Sequence, residues 1–364
     1  MKRYRHAARL SAESGFTLIE MMVSLVVFTT IVGTIYGMLQ IGLIDRNRAS
    51  RHADVLKNAR AALYLISRDA FNAGLSYNKN GAVVPDDFIS DRLELPADAD
   101  AERDVLTAVI GGDDLFFNIL HPDTNARTDL LSFAYRDTDF NEGEVISLND
   151  AADVADAPSS VRLQTAANGA RNAETYDLYL VESDSSQVAV MATAVPSPTS
   201  IDIAPGDPLG INLPFDGGGT GGSLLRKCGE DIKENCTTYA ASVKRFFWVA
   251  YKVKSDGTLV RMTFGNNSGA EAADQIQELP VAFNIEDFQV TYVLEDGSTS
   301  DNPAAGDDEI AGTADDNPAN FNLVRQITVT IKVQATESDE QLGEPTTVTL
   351  TGTFSTRNLQ YDAG

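Results

Sequence analysis

The sequence predicts an α+β chain in which one long N-terminal helix, membrane-spanning in its first half, packs on a β-rich C-terminal head. Three observations predict it. Residues 16–44 are mostly apolar and carry a single charge, Glu20. The uncharged run 21–44 exceeds the roughly 20 residues a helix needs to cross a bilayer core. From 45 to 74 the pattern turns amphipathic, with Val55, Ala59, Ala62, Ile66 and Ala70 recurring at steps of three and four. Beyond 75 the chain breaks into short β-rich runs bounded by Asp, Asn, Gly and Pro.

The helix comes first. No proline occurs before Pro85, so one helix over 16–72 is expected, about 85 Å long at 1.5 Å per residue. Asn72-Ala73-Gly74 supplies its stop. Gly33 and Gly37 have the spacing that lets two helices approach closely, and small residues scattered on a lipid-facing helix would look the same. A conventional secretory signal is disfavoured, because it needs an apolar core of about 7–15 residues and then a small-residue cleavage site. Here the apolar run continues into Asp45-Arg46-Asn47-Arg48. Basic residues flank both ends of the run, so charge alone does not orient it.

Strands are expected over 128–135, 175–181, 187–195, 245–253, 259–264, 283–293, 323–333 and 346–354. In the seventh, Val324, Ile327, Val329, Ile331 and Val333 mostly alternate with Gln326, Thr328, Thr330 and Lys332, as a sheet with one buried face requires. That face is expected to cover the apolar stripe of the second half of the helix. Gly111-Gly112-Asp113-Asp114 reads as an acidic turn.

Glu20 is the most specific feature of the N-terminus. An ionisable side chain at the edge of a membrane helix is expensive and normally kept for a partner, the alternative being a glutamate that snorkels to the interface. A basic leader (Lys2, Arg3, Arg5, Arg9) ends at Gly15, directly before Phe16-Thr17-Leu18-Ile19-Glu20. This string resembles the class III signal of type IV prepilins and pseudopilins. The resemblance implies a type IV pilin-like fold with four parts: leader 1–15, transmembrane and assembly half 16–44, amphipathic half 45–74, and periplasmic head 75–364. It also implies cleavage between Gly15 and Phe16 by a prepilin peptidase, N-methylation of Phe16, and pairing of Glu20 with the terminal amine of a neighbouring subunit. Electrostatics favour that pairing, since carboxylate and ammonium attract strongly in low dielectric and each alone is costly to desolvate.

Further pieces narrow the likeness. Leu65-Ile66-Ser67-Arg68-Asp69 with Ala73-Gly74, Thr128-Asp129-Leu130-Leu131, Gly257-Thr258-Leu259-Val260-Arg261, Ile285-Glu286-Asp287-Phe288-Gln289-Val290 and Phe354-Ser355-Thr356-Arg357-Asn358-Leu359 resemble parts of the PilW-type minor pilins. The J-type pseudopilin of type II secretion shares much of this layout. The signal is a strong motif, and the head pieces are loose and short.

Composition limits what the head does. The chain has 364 residues and a formal charge of −25, and loss of the basic leader makes it more negative still. Such a surface repels phosphates, so direct nucleic-acid binding is not expected. Cys228 and Cys236, in a head placed outside the inner membrane by the resemblance, are expected to form a disulfide, with metal ligation and two free thiols as the alternatives. The glycine tract 217–222 lacks the Gly-Lys-Ser/Thr continuation of a phosphate loop. Asp307, Asp308, Glu309, Asp315 and Asp316 gather oxygens of the kind calcium takes, but without regular ligand spacing, which favours a solvated acidic loop. The three histidines, His6, His52 and His121, assemble no triad or zinc motif, and no cofactor or enzymatic activity is expected.

The functional expectation is a non-catalytic minor pilin. It starts in the inner membrane, docks its helix against other minor pilins and the major pilin, and helps prime a type IV pilus near the tip. The rivals are the J-type pseudopilin and a signal-anchored periplasmic binding or adhesion protein.

Overall fold

The computed structural model describes residues 15–78, 80–97, 104–148, 154–157, 160–165, 169–182, 187–212, 242–305, 316–338 and 345–360. The chain divides into two compact units, Met1–Asp54 and Val55–Gly364. One helix, Leu18–Asn72, begins in the first and ends in the second, so the architecture is α+β: a long, apolar N-terminal helix followed by a β-rich remainder.

In the second unit the helix presents the expected stripe. Val55, Ala59, Ala62, Ile66 and Ala70 are buried, four of them completely. Three of these are alanines, so sheet side chains can approach the helix backbone closely. The stripe packs against Ile327, Val329 and Ile331 of the strand Val324–Ser338, and against Phe288 and Val290 of the strand Ile285–Leu294. These two strands pair antiparallel and continue to Pro345–Ser355, completing a four-stranded sheet with the short Thr299–Ser300. Full burial of a side chain such as Ile66 stabilises by about 1.5–3 kcal/mol. The outer face of this sheet carries polar cross-strand pairs, Thr328 with Thr353 and Thr330 with Thr351.

The helix stops where its sequence says. Gly74 takes a left-handed φ of +77°, which a Cβ would strain. Asn358 Nδ2 donates to the carbonyls of Phe71, Asn72 and Ala73 at 3.1, 3.4 and 3.2 Å. Carbonyls left over at a helix end need such partners, and here they come from the far end of the chain.

A larger sheet of ten strands is organised on Ser242–Val253. Its residues 246–252 pair with Arg127–Arg136, and its residues 242–245 pair with Leu178–Glu182. Leu259–Phe264 and then Ile276–Ala282 extend the sheet on the other side. Trp248 is buried in it, its ring stacked 3.9 Å from Phe264 and its Nε1 donating to Ser132 Oγ at 2.9 Å. A third, four-stranded sheet joins Val154–Ala157, Ser160–Gln164, Ala194–Ser197 and Ser200–Ile203.

The structure corrects three expectations. The acidic turn at Gly111–Asp114 lies inside the strand Val109–Phe117, whose register against Arg127–Arg136 shifts between Gly112 and Phe116. That bulge gives the Gly-Gly-Asp-Asp run its turn-like composition without ending the strand. The expected strand 175–181 starts only at Leu178, because Tyr176 has a φ of +74° and Asp177 forms a turn back to Glu174. The expected strand 187–195 is two strands, Gln187–Met191 and Ala194–Ser197, which belong to different sheets.

Candidate functional site

The first candidate site is the N-terminal part of the helix. Gly15 lies in irregular chain just before it, and Phe16, Leu18 and Ile19 are 81%, 79% and 72% exposed. Apart from the half-buried Gly37, exposure continues along the helix through Leu43, and no described residue of this unit covers the apolar surface. By length and composition the helix can cross a membrane. Four of its polar side chains turn back on the helix itself. Thr29 donates to the Leu25 carbonyl, Thr30 to Val26, Thr34 to Ile31, and Gln40 Nε2 to the Tyr36 hydroxyl, the last at 2.9 Å. Such pairing satisfies the three threonine hydroxyls within the helix, as an apolar solvent demands. A Cβ built on Gly33 or Gly37 would meet nothing within 4 Å. Both glycines face open space.

Glu20 has a local role that the apolar pattern had obscured. Thr17 opens the helix, its carbonyl accepting from Met21 N–H. Its Oγ1 accepts from Glu20 N–H at 3.3 Å, while Glu20 Oε2 accepts from Thr17 N–H at 3.4 Å and from the Thr17 hydroxyl at 3.3 Å. This reciprocal arrangement is a capping box, and the Thr-x-x-Glu spacing was the signal for it. It also places a negative charge at the positive end of the helix dipole.

Two of the polar clusters among the described residues of the second unit bear on function. At the end of the helix, Asp69 is fully buried. Its Oδ1 accepts from the Tyr135 hydroxyl at 2.9 Å, and its Oδ2 from the Tyr251 hydroxyl at 2.6 Å and from Arg261 Nε at 2.7 Å. Arg68, half exposed, adds a longer contact of 3.2 Å. Burial, and then the Asp69 charge, push both tyrosines above their ordinary range. Burial works against the charge of Arg261, but the Asp69 carboxylate more than offsets it. The cluster ties the last turns of the helix to the large sheet. The Arg68-Asp69 pair was noted in the sequence, but its partners were not.

The other cluster is Asp113, Asp114 and Asp129, each offering a carboxylate oxygen within 4.8 Å of the others. The strand bulge projects the first two, and Asp129 stands opposite on the neighbouring strand. Asp129 Oδ1 accepts from Asp114 N–H at 2.9 Å and its Oδ2 from Val290 N–H at 2.6 Å. Burial pushes the Asp129 carboxyl up to about 8. The two backbone donors pull against that shift, and the charges of Asp113 and Asp114 add to it. Burial, and then Asp114 and Asp301, also raise Asp113.

Of the residues singled out in the sequence, Gly15, Phe16, Glu20, Gly33 and Gly37 fall on the exposed apolar helix and its start. Cys228, Cys236, Asp307, Asp308, Glu309 and Asp315 lie outside the described residues. Asp316 is described and half-buried, and it is not in the Asp113 cluster.

A family model described as the prokaryotic N-terminal methylation motif matches residues 10–36. No curated protein and no solved structure matches the chain. The match covers Gly15, Phe16, Glu20 and Gly33. It supports a prepilin- or pseudopilin-like protein, processed by a prepilin peptidase and anchored by its apolar helix, and the α+β architecture is consistent with a type IV pilin-like fold.

Proposed function

We propose that the chain is a PilW-like minor pilin that primes type IV pilus assembly and has no catalytic role. The observation that carries this reading is the stretch Leu18–Tyr36 of the helix, which lies inside the matched motif and is apolar and exposed throughout, its one charge at Glu20. A helix of this kind stays in lipid or is covered by others like it. After cleavage behind Gly15, Phe16 becomes the methylated terminus. Gly33 and Gly37 admit a neighbouring helix, and Glu20 meets the terminal amine of an adjacent subunit. The second unit, Val55–Gly364, stands in the periplasm and selects its neighbours among other minor pilins and the major pilin.

Intact mass of the protein recovered from membranes tests the processing step. The expected species begins at methylated Phe16, and one still beginning at Met1, in cells with an active prepilin peptidase, refutes the reading. Deletion of the gene then separates pilus from secretion. Loss of surface pili with normal protein export supports the minor pilin, and the reverse assigns the chain as a J-type pseudopilin.

A further inference from the structure

The acidic cluster in the second unit carries a role that helix docking does not use. Asp113, Asp114 and Asp129 converge from two adjacent strands. Among the described residues no lysine or arginine forms an ion pair with any of them, or with Asp301, whose charge also reaches Asp113. Asp129 is 1% exposed and pinned through both oxygens to backbone N–H groups. Its position is therefore fixed before any ligand arrives.

The second observation does not come from the acids. Tyr292 is buried and its hydroxyl has no hydrogen-bond partner. Its ring packs edge-on against Phe321, and its oxygen stands where a Cβ on Gly111 would come within 2.0 Å. Gly111 is two residues before Asp113 in the same strand, and the hydroxyl lies in the field of Asp129, Asp113 and Asp301. A buried hydroxyl within the field of three carboxylates yet hydrogen-bonded to no described group has an unmet polar demand that a bound polar species would meet.

We propose that Asp113, Asp114 and Asp129 hold one hard divalent cation, best suited to calcium, with water completing its shell. Oxygen-only ligands without His or Cys favour hard cations. Calcium accepts irregular geometry, whereas magnesium demands a near-ideal octahedron. That suits a site built from one pinned carboxylate and two at a bulge, of which Asp114 is exposed. A water on the cation donates to the Tyr292 oxygen and supplies its missing partner. The bound ion fastens the bulge of Val109–Phe117 to Arg127–Arg136 and, through Asp129, to the strand that carries Val290.

The test uses the full chain in mild detergent, stripped with a chelator and titrated with calcium chloride by calorimetry. One site is expected, with a dissociation constant on the order of 10⁻⁴–10⁻³ M, as in extracellular modules. The double variant Asp113→Asn, Asp114→Asn should weaken binding at least about tenfold. Neither of these side chains accepts a hydrogen bond from a described residue, so the variant should keep its fold, checked by the melting temperature without calcium. A second variant, with amides at Asp307, Asp308, Glu309 and Asp315, should bind as the parent does. Absence of binding at about 10 mM calcium, undiminished binding in the first variant, or loss confined to the second overturns the proposal.

Discussion

Replacing Asp69 by alanine is the sharpest perturbation of the second unit, because one buried carboxylate serves three buried or nearly buried donors. The substitution leaves the Arg261 guanidinium, whose side chain is 14% exposed, without its counter-charge. Breaking a buried pair from one side costs about 3–5 kcal/mol. The Tyr135 and Tyr251 hydroxyls also lose their acceptor, at about 1–3 kcal/mol each if nothing replaces it. The terms overlap, since water admitted to the cavity serves all three donors, and Arg68 contributes little because it is half exposed. A loss of about 4 kcal/mol is the expected sum. Trp248 is the single tryptophan and is buried in the large sheet, so its fluorescence during urea unfolding of the full chain in detergent reports this unit alone. Adding Arg261→Met to Asp69→Ala removes the orphaned charge and should recover about 2 kcal/mol, a coupling typical of contacting residues. A loss below about 1 kcal/mol in the single variant, or no recovery in the double, would falsify the view that this cluster anchors the helix to the sheet.

Four further outcomes are expected. Gly15→Phe should block processing by denying the peptidase a small residue before the cut, seen as retention of the leader in the intact mass; normal maturation would exclude cleavage at this site. Glu20→Ala should leave the mature mass otherwise unchanged while lowering filament number, counted by electron microscopy, and an undiminished count removes the proposed pairing. Gly111→Ala places a methyl within 2.0 Å of the Tyr292 hydroxyl, which Phe321 backs, and should destabilise by about 1–3 kcal/mol in the same urea assay. Asn358→Ala strips a donor from three carbonyls at the helix end and should cost about 1 kcal/mol; a neutral result would mean that water already serves those carbonyls.

What the sequence made legible was periodicity. The strand Leu259–Phe264 agrees with its expected bounds, and the alternation from Val324 to Val333 marks the buried face correctly. Both follow from one-sided burial, which writes itself residue by residue into a strand. Val109–Phe117 was missed because its bulge holds Gly111, Gly112, Asp113 and Asp114, a composition that local rules assign to turns. Ile276–Ala282 was missed because Pro280 sits within it, a residue tolerated here at the edge of the sheet. The polar clusters were illegible for a different reason. Asp69 meets Tyr135 and Arg261 across 66 and 192 residues of chain, and no local pattern encodes which distant donors a lone buried aspartate will find.

Glu20 shows how one carboxylate can satisfy its own chain and still favour a partner. In the capping box both of its contacts run through Oε2 and are long, 3.3 and 3.4 Å. Among the described residues Oε1 accepts no hydrogen bond. The isolated subunit is thus relieved of part of the cost of a charge near lipid, because its own first turn supplies donors and the helix dipole has the right sign. What the cap cannot supply is a full positive charge. On the reading proposed above, a neighbour's terminal ammonium can approach Oε1 without breaking the cap, so docking adds a charge-assisted bond to an arrangement already in place. The side chain is pre-ordered by Thr17, which reduces the entropy lost on docking. On that reading Glu20 acts through the difference between a capped and a capped-and-paired carboxylate. That difference is smaller than between a bare charge and an ion pair, and it suits subunits that must wait singly in the membrane before they assemble.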